Sequence, residues 1–210
     1  MLTKTFITPV KKIRPQIQKD PHHYELVLLT TDDGWTERIQ NKSRLYSSLI
    51  DVYCRHYNFR PIIFTTTPEL VAVYNRTCAT VIQEFGVNRF NIPIITNMFS
   101  IAKKMFSADY YGYVNADILI QNNIFFVLNY LKEQSKRGVI CKQHELAGRV
   151  YEVDYPFFPY NFTTLDEVDT FFRTVSPGRN SIRNRGSAVL LFFLFHFRII
   201  SSFLKKHYHW

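Results

Sequence analysis

Short apolar runs and amphipathic stretches alternate along the first two thirds of the chain. Residues 24–31 are almost continuously apolar and end at the turn signal Asp32-Asp33-Gly34, a pattern typical of a buried parallel strand. Apolar residues then recur at helical spacing from Lys42 to Tyr57, and Arg60-Pro61 ends that pattern. The same alternation continues downstream. In chain order the predicted strands are 24–31, 62–65, 92–95, 110–120 and 138–141, and the predicted helices are 42–57, 68–85, 98–106 and 124–134.

Single helices between successive strands indicate a largely parallel sheet, because each parallel connection needs a crossover that covers one face. The sequence therefore predicts an α/β fold, a three-layer α/β/α sandwich with a mostly parallel sheet. We expect a basic N-terminal arm over residues 1–20 and one domain over residues 21–188. Residues 189–210 form an atypical apolar tail, whose abrupt change to Phe and Leu suggests a non-native origin.

Composition and charge narrow the function classes without choosing one. The 210 residues are 46% hydrophobic and 16% aromatic, which is too apolar for a disordered chain. The net charge of +9 favours anionic partners such as nucleotide phosphates, nucleic acid or a membrane surface. However, the basic residues are scattered and no nucleic-acid-binding motif is visible, so we expect no nucleic-acid partner.

The three cysteines argue against a disulfide scaffold and a zinc ribbon. Cys54, Cys78 and Cys141 are far apart and form no C-x-x-C motif. Cys54 and Cys78 lie in segments predicted as buried helix. We therefore expect the cysteines to have no framework role.

The compartment stays open on sequence grounds. Residues 1–20 contain no run of seven apolar residues, so neither a signal peptide nor an anchor is visible, which favours the cytoplasm. Three N-x-S/T triplets give weak support to a secretory location instead, and they begin at Asn41, Asn75 and Asn161.

Asn115 and Asp117 are the residues whose pattern best indicates chemistry. They follow an aromatic strand, and the carboxyl ends of parallel strands are where such sheets bind ligands. At a spacing of two they would share one face of an extended segment. Their oxygens suit Mg²⁺ or Mn²⁺ bridging a diphosphate. The alternative, favoured for an isolated N-x-D, is a capping Asn and Asp at a strand-to-turn junction.

The stretch from Tyr110 to Leu119 matches the pattern (F/Y)-Y-G-Y-x-N-x-D-I-L. With it, residues 25–154 resemble the GT-A nucleotide-diphospho-sugar glycosyltransferases, in particular a eukaryotic group that carries this strand. Weaker support comes from Leu29-Thr30-Thr31, from the helix beginning near Asn41, and from Gly148-Arg149.

The resemblance implies a donor site for a nucleotide-diphospho-sugar. Asn115 and Asp117 would form a DxD-like element for Mn²⁺ or Mg²⁺, with Asn at its first position. Thr30 and Thr31 would lie beside the base and ribose, although ordinary strand-end threonines are the alternative. Arg149 would approach the diphosphate or the acceptor, or else face solvent in a turn. The activity would be transfer of the sugar to a hydroxyl of a glycan, protein or lipid, in the Golgi or secretory pathway.

The family pattern is interrupted after residue 188, so we suspect a truncated gene model or splice product. No general base is visible, and we assign no catalytic residue. We interpret His144 as a polar residue at the rim of the site. We interpret Asp166-Glu167 as the start of a helix that Thr164 caps. A catalytically inactive nucleotide-binding paralogue is the alternative function. Membrane association through residues 189–204 is not preferred, because about 20 residues are needed to span a bilayer.

Overall fold

The computed structural model describes residues 20–32, 37–115, 118–134 and 161–175. Strands and helices alternate through most of these ranges. The strands are β1 (His23–Thr31), β2 (Phe59–Phe64), β3 (Thr80–Ile82) and β4 (Ser107–Tyr113). The helices are α1 (Glu37–His56), α2 (Pro68–Tyr74), α3 (Ile95–Met105), α4 (Asn123–Glu133) and α5 (Leu165–Val175).

The four strands form one parallel sheet in the order β3-β2-β1-β4. Strand β1 is central, with Leu29 paired to Ile62 of β2 on one side and to Tyr113 of β4 on the other. Its continuous apolar run suits this position, because a central parallel strand is buried on both faces. The predicted parallel α/β architecture is confirmed.

Helices cover both faces of the sheet. Leu26 and Leu28 pack into a core with residues of α1, α2, α4 and α5, whereas Val27 and Leu29 pack into a second core with α3. The steps β1 to β2 to β3 move one way across the sheet, and the step from β3 to β4 moves back. Right-handed crossovers in opposite directions place their helices on opposite faces, which gives the three layers.

Five predicted elements occupy their predicted segments in the structure: β1, α1, β2, α3 and α4. Helix α1 begins at Glu37, five residues earlier than predicted, and β2 begins at Phe59, three residues earlier than predicted. The cap of α5 is also confirmed. Thr164 Oγ1 accepts a hydrogen bond from the Glu167 N–H at 3.2 Å, while the Glu167 carboxylate accepts from the Thr164 N–H at 3.3 Å, a reciprocal capping box.

The prediction of one long helix over residues 68–85 is wrong. Helix α2 ends at Tyr74, where the Thr77 hydroxyl donates to the Tyr74 carbonyl at 2.7 Å and satisfies the last turn. Residues 80–82 then pair with β2 as β3. The predicted strand 92–95 is wrong as well, since its only pairing in the described residues is a single bridge between Val87 and Pro93.

The fourth strand is shorter than predicted. Strand β4 begins at Ser107 and ends at Tyr113, whereas the pattern predicted 110–120. Ile118 N–H donates to the Asn115 carbonyl at 3.1 Å, a spacing typical of a turn. The predicted strand 138–141, most of the arm 1–20 and the tail 189–210 lie outside the described residues.

Cys54 and Cys78 form a disulfide, although the sequence argued against a disulfide scaffold. The expectation failed because it placed Cys78 inside a buried helix. Since α2 ends at Tyr74, Cys78 lies in the connection to β3 and contacts Cys54 of α1. In the described part of the chain no helix combines the length and apolar character that crossing a membrane requires.

Candidate functional site

The sheet reverses its direction of growth between β1 and β4. The chain moves outward from β1 through β2 to β3 and then returns to add β4 on the other side of β1. Parallel α/β sheets bind ligands at such a reversal, in the crevice outside the carboxyl ends of the two strands. We call this region, formed by residues 30–31 and 113–115, the switch edge.

Hydrogen bonds hold the two halves of the switch edge together. Val114 N–H donates to the Leu29 carbonyl at 2.9 Å, so pairing continues one residue past β4. Thr31 Oγ1 lies 3.4 Å from Tyr113 Oη, and both side chains are half-buried. Two hydroxyl groups from strands far apart in the sequence are therefore neighbours at this edge.

The two predicted threonines are placed differently. Thr31 is partly accessible and lies on the α3 side of β1, by alternation with Val27 and Leu29. Thr30 is only 1% exposed, and its hydroxyl lies 3.5 Å from the Thr31 carbonyl oxygen that accepts its hydrogen bond. Thr31 is thus the threonine whose hydroxyl can reach a ligand, while Thr30 contributes to packing.

Asn115 is exposed immediately beyond the end of β4. Asn115 comes two residues after Tyr113, and Tyr113 contacts Thr31 at the end of β1. Asn115 and Thr31 therefore lie at the same edge of the sheet. Asp117 and Arg149 lie outside the described residues. Because β4 ends at Tyr113, the shared face of Asn115 and Asp117 stays a prediction rather than a consequence of strand pleating.

A buried ion pair behind the switch edge was not predicted from sequence. Asp32 directly follows β1 and is 4% exposed. Lys42 Nζ of α1 lies 2.7 Å from Asp32 Oδ1, and Tyr74 Oη of α2 donates to Asp32 Oδ2 at 3.0 Å. One carboxylate therefore holds two helices against the carboxyl end of the central strand.

Tyrosines surround this carboxylate. The Tyr46 and Tyr74 rings meet edge to face, with centroids 6.3 Å apart, and the Tyr46 hydroxyl is buried without a hydrogen-bond partner in the described structure. Burial raises the pKa of both hydroxyls, and the negative charge of Asp32 raises each pKa further. Both phenols therefore stay neutral, and the low polarity around Asp32 strengthens its attraction to Lys42.

Two side chains at or behind the switch edge have oxygens of the kind that binds a divalent cation, namely Asp32 and Asn115. Both Asp32 oxygens are already engaged by Lys42 and Tyr74, so that carboxylate is not a free ligand. The exposed amide oxygen of Asn115 is of the hard type that Mg²⁺ and Mn²⁺ accept. No group of three or more His, Cys, Asp or Glu side chains suited to a metal occurs in the described ranges. The sequence predicts Asp117 as the second ligand of the cation, beside Asn115.

No protein-family model and no curated protein matches the chain. The features of this chain that bear on its function are the fold, the chemistry of the switch edge and the motif from Tyr110 to Leu119.

Proposed function

We propose that this chain is a GT-A glycosyltransferase domain, which binds a nucleotide-diphospho-sugar and transfers the sugar to an acceptor hydroxyl. The observation that carries the proposal is the pair Thr31 and Asn115, accessible at the reversal between β1 and β4. Open parallel sheets bind nucleotides at this point. The motif that resembles the family runs along the same strand and ends just past the same edge.

The residues would divide the donor between them. The hydroxyls of Thr31 and Tyr113 can donate to or accept from the ribose and base. Asn115 and Asp117 would hold Mn²⁺ or Mg²⁺, and Arg149 would pair with phosphate oxygens. When bound, the cation neutralises charge that develops on the leaving diphosphate. The acceptor oxygen would then bond to the anomeric carbon as the bond to the diphosphate breaks, and the proton of the acceptor hydroxyl would pass to solvent or to the departing diphosphate.

A nucleotide-binding domain without transfer activity is the second candidate. The exposed residue at position 115 is an amide, whereas a DxD element has a carboxylate there. An uncharged ligand gives a weaker hold on a divalent cation. The two candidates differ in whether the bound donor is consumed, so release of free nucleotide diphosphate in the presence of acceptor hydroxyls distinguishes them.

Calorimetry with UDP-sugars and GDP-sugars tests the binding, each titrated with Mn²⁺ or Mg²⁺ and again with a chelator. We expect Asp117→Ala to abolish the metal-dependent part of the affinity. We expect Asn115→Asp to increase that part, because it restores the second carboxylate. Asn129→Asp, on the exposed surface of α4, is the matched control with the same change of charge.

Equal nucleotide affinity in the parent and Asp117→Ala, with and without metal, would refute the proposed site. So would an equal gain from Asn115→Asp and Asn129→Asp, because a general effect of negative charge would then explain the result.

A further inference from the structure

The disulfide joins two segments that other contacts already hold in place. The Cys78 N–H donates to Asp51 Oδ1 at 2.9 Å, one helical turn before Cys54 on α1. Arg60 Nη1 donates to the Cys78 carbonyl at 2.9 Å from the neighbouring strand β2. The native fold thus presents the two sulfur atoms to each other, and the bond belongs to this fold.

An N-x-T triplet lies on the same cross-linked segment. Asn75 is the C-cap of α2, three residues before Cys78, and its side chain is exposed. The side-chain amide of Asn75 makes no hydrogen bond to any other described residue. Thr77 completes the triplet and caps the helix through its hydroxyl. A substituent on Asn75 Nδ2 would therefore point into solvent without breaking a native contact.

A second triplet has the same character, and the third does not. Asn161 and Thr163 are exposed on either side of the buried Phe162, just ahead of α5. In the triplet that begins at Asn41, by contrast, Lys42 and Ser43 are buried within α1, and Lys42 forms the ion pair with Asp32. The third residue therefore separates the triplets, since Ser43 is buried whereas Thr77 is half-buried and Thr163 is exposed.

We propose that this chain folds in an oxidising secretory compartment, where Asn75 and Asn161 carry N-linked oligosaccharides and Asn41 does not. Structural disulfides form and persist in such compartments and are rare in the cytosol, which connects the cross-link to the triplets. Asn-x-Ser/Thr is the acceptor motif of that same pathway. The inference does not depend on glycosyltransferase activity, since it concerns the chain as an acceptor.

Both modifications balance chemically. The two thiols of Cys54 and Cys78 give two protons and two electrons to an oxidised dithiol protein, whose own disulfide is reduced. In the second step each asparagine Nδ2 bonds to the anomeric carbon of a lipid-diphosphate-linked oligosaccharide. The bond from that carbon to the diphosphate breaks, the lipid diphosphate leaves, and the amide loses one proton.

Expression of the full chain in eukaryotic cells tests the proposal. The protein is separated by electrophoresis before and after digestion with a peptide N-glycosidase. We expect the glycosidase to shift the parent by the mass of two oligosaccharides, which partial digestion resolves as two steps. Asn75→Gln and Asn161→Gln should each show one step. Asn41→Gln is the matched control and keeps both steps. A parent chain that the glycosidase does not shift, or a step lost in Asn41→Gln, would overturn the proposal.

Mass spectrometry of the parent makes the result independent of how well the variants fold. The glycosidase removes each oligosaccharide and leaves aspartate in place of the asparagine that carried it. Both sites are therefore identified without any substitution. Alkylation before reduction is expected to leave Cys54 and Cys78 unlabelled. Full labelling of both cysteines would contradict an oxidising compartment for this chain.

Discussion

Replacing Asp32 with Asn removes the charge at the centre of the buried network behind the switch edge. Lys42, which is 8% exposed, then loses its counter-ion, and Tyr74 loses a charged acceptor. Truncating one partner of a buried ion pair typically costs about 3–5 kcal/mol. An Asn oxygen still accepts one hydrogen bond, so we expect Asp32→Asn to lower the free energy of unfolding by about 3 kcal/mol.

Thermal and urea unfolding followed by circular dichroism measure this loss. For a chain of this size, about 3 kcal/mol corresponds to a fall in Tm of roughly 6–12 °C. The double variant Asp32→Asn with Lys42→Met is expected to recover part of the loss, because no unpaired charge is left buried. The resulting coupling energy should lie between about 1 and 3 kcal/mol.

Arg44→Met supplies the matched control, since it removes a cation from an exposed position of the same helix. It should change stability by less than about 0.5 kcal/mol. The reasoning would be refuted if Lys42→Met were as mild as Arg44→Met, or if the two changes at Asp32 and Lys42 were additive.

Two further predictions concern the cross-link and the half-buried carboxyl of Glu25. Cys54→Ser, or reduction of the parent, should lower the free energy of unfolding by about 3.5 kcal/mol, because the disulfide closes a loop with a sequence separation of 24. Urea unfolding with and without reductant measures this loss. An unchanged unfolding midpoint would contradict the prediction. Glu25→Gln should stabilise the protein at neutral pH, because burial raises the pKa of Glu25 above 4.5 and Oε1 has no hydrogen-bond partner in the described structure. A carboxyl with a raised pKa destabilises the fold as pH rises through that pKa, so the gain should vanish below the ordinary value of 4.5; a gain independent of pH would exclude this cause.

Strand β1 was predictable because burial on both faces leaves only one kind of sequence for it. Its apolar run is continuous, and the polar residues that follow mark its end. The end of α2 was not recognised, because the apolar spacing of a helix continues through residues 78–85. Three consecutive β-branched residues, Thr80-Val81-Ile82, were the local signal for β3, since such residues favour strands.

The candidate site was predictable only as far as local pattern reaches. The end of β1 and the motif in β4 identified Thr31 and Asn115 without any knowledge of contacts. Asp32 pairs with Lys42, 10 positions further along the chain, and accepts a hydrogen bond from Tyr74, 42 positions further along. Only the packing of α1 and α2 brings those side chains together. The disulfide was missed for the same reason, since Cys78 meets Cys54 only because α2 stops at Tyr74.

The adjacency of β1 and β4 has a consequence for folding kinetics. Thr31 and Tyr113 are 82 residues apart, so the chain between them must be arranged before their strands can pair. Closing such a long loop lowers the conformational entropy of the chain before the stabilising contacts between the two strands form. Long-range parallel pairing is therefore slow. Strands β1 and β2 with helix α1 can associate first, and β4 completes the edge afterwards. A molecule that binds across both strands therefore recognises the finished fold and no earlier state, and its binding raises the stability of that fold by mass action.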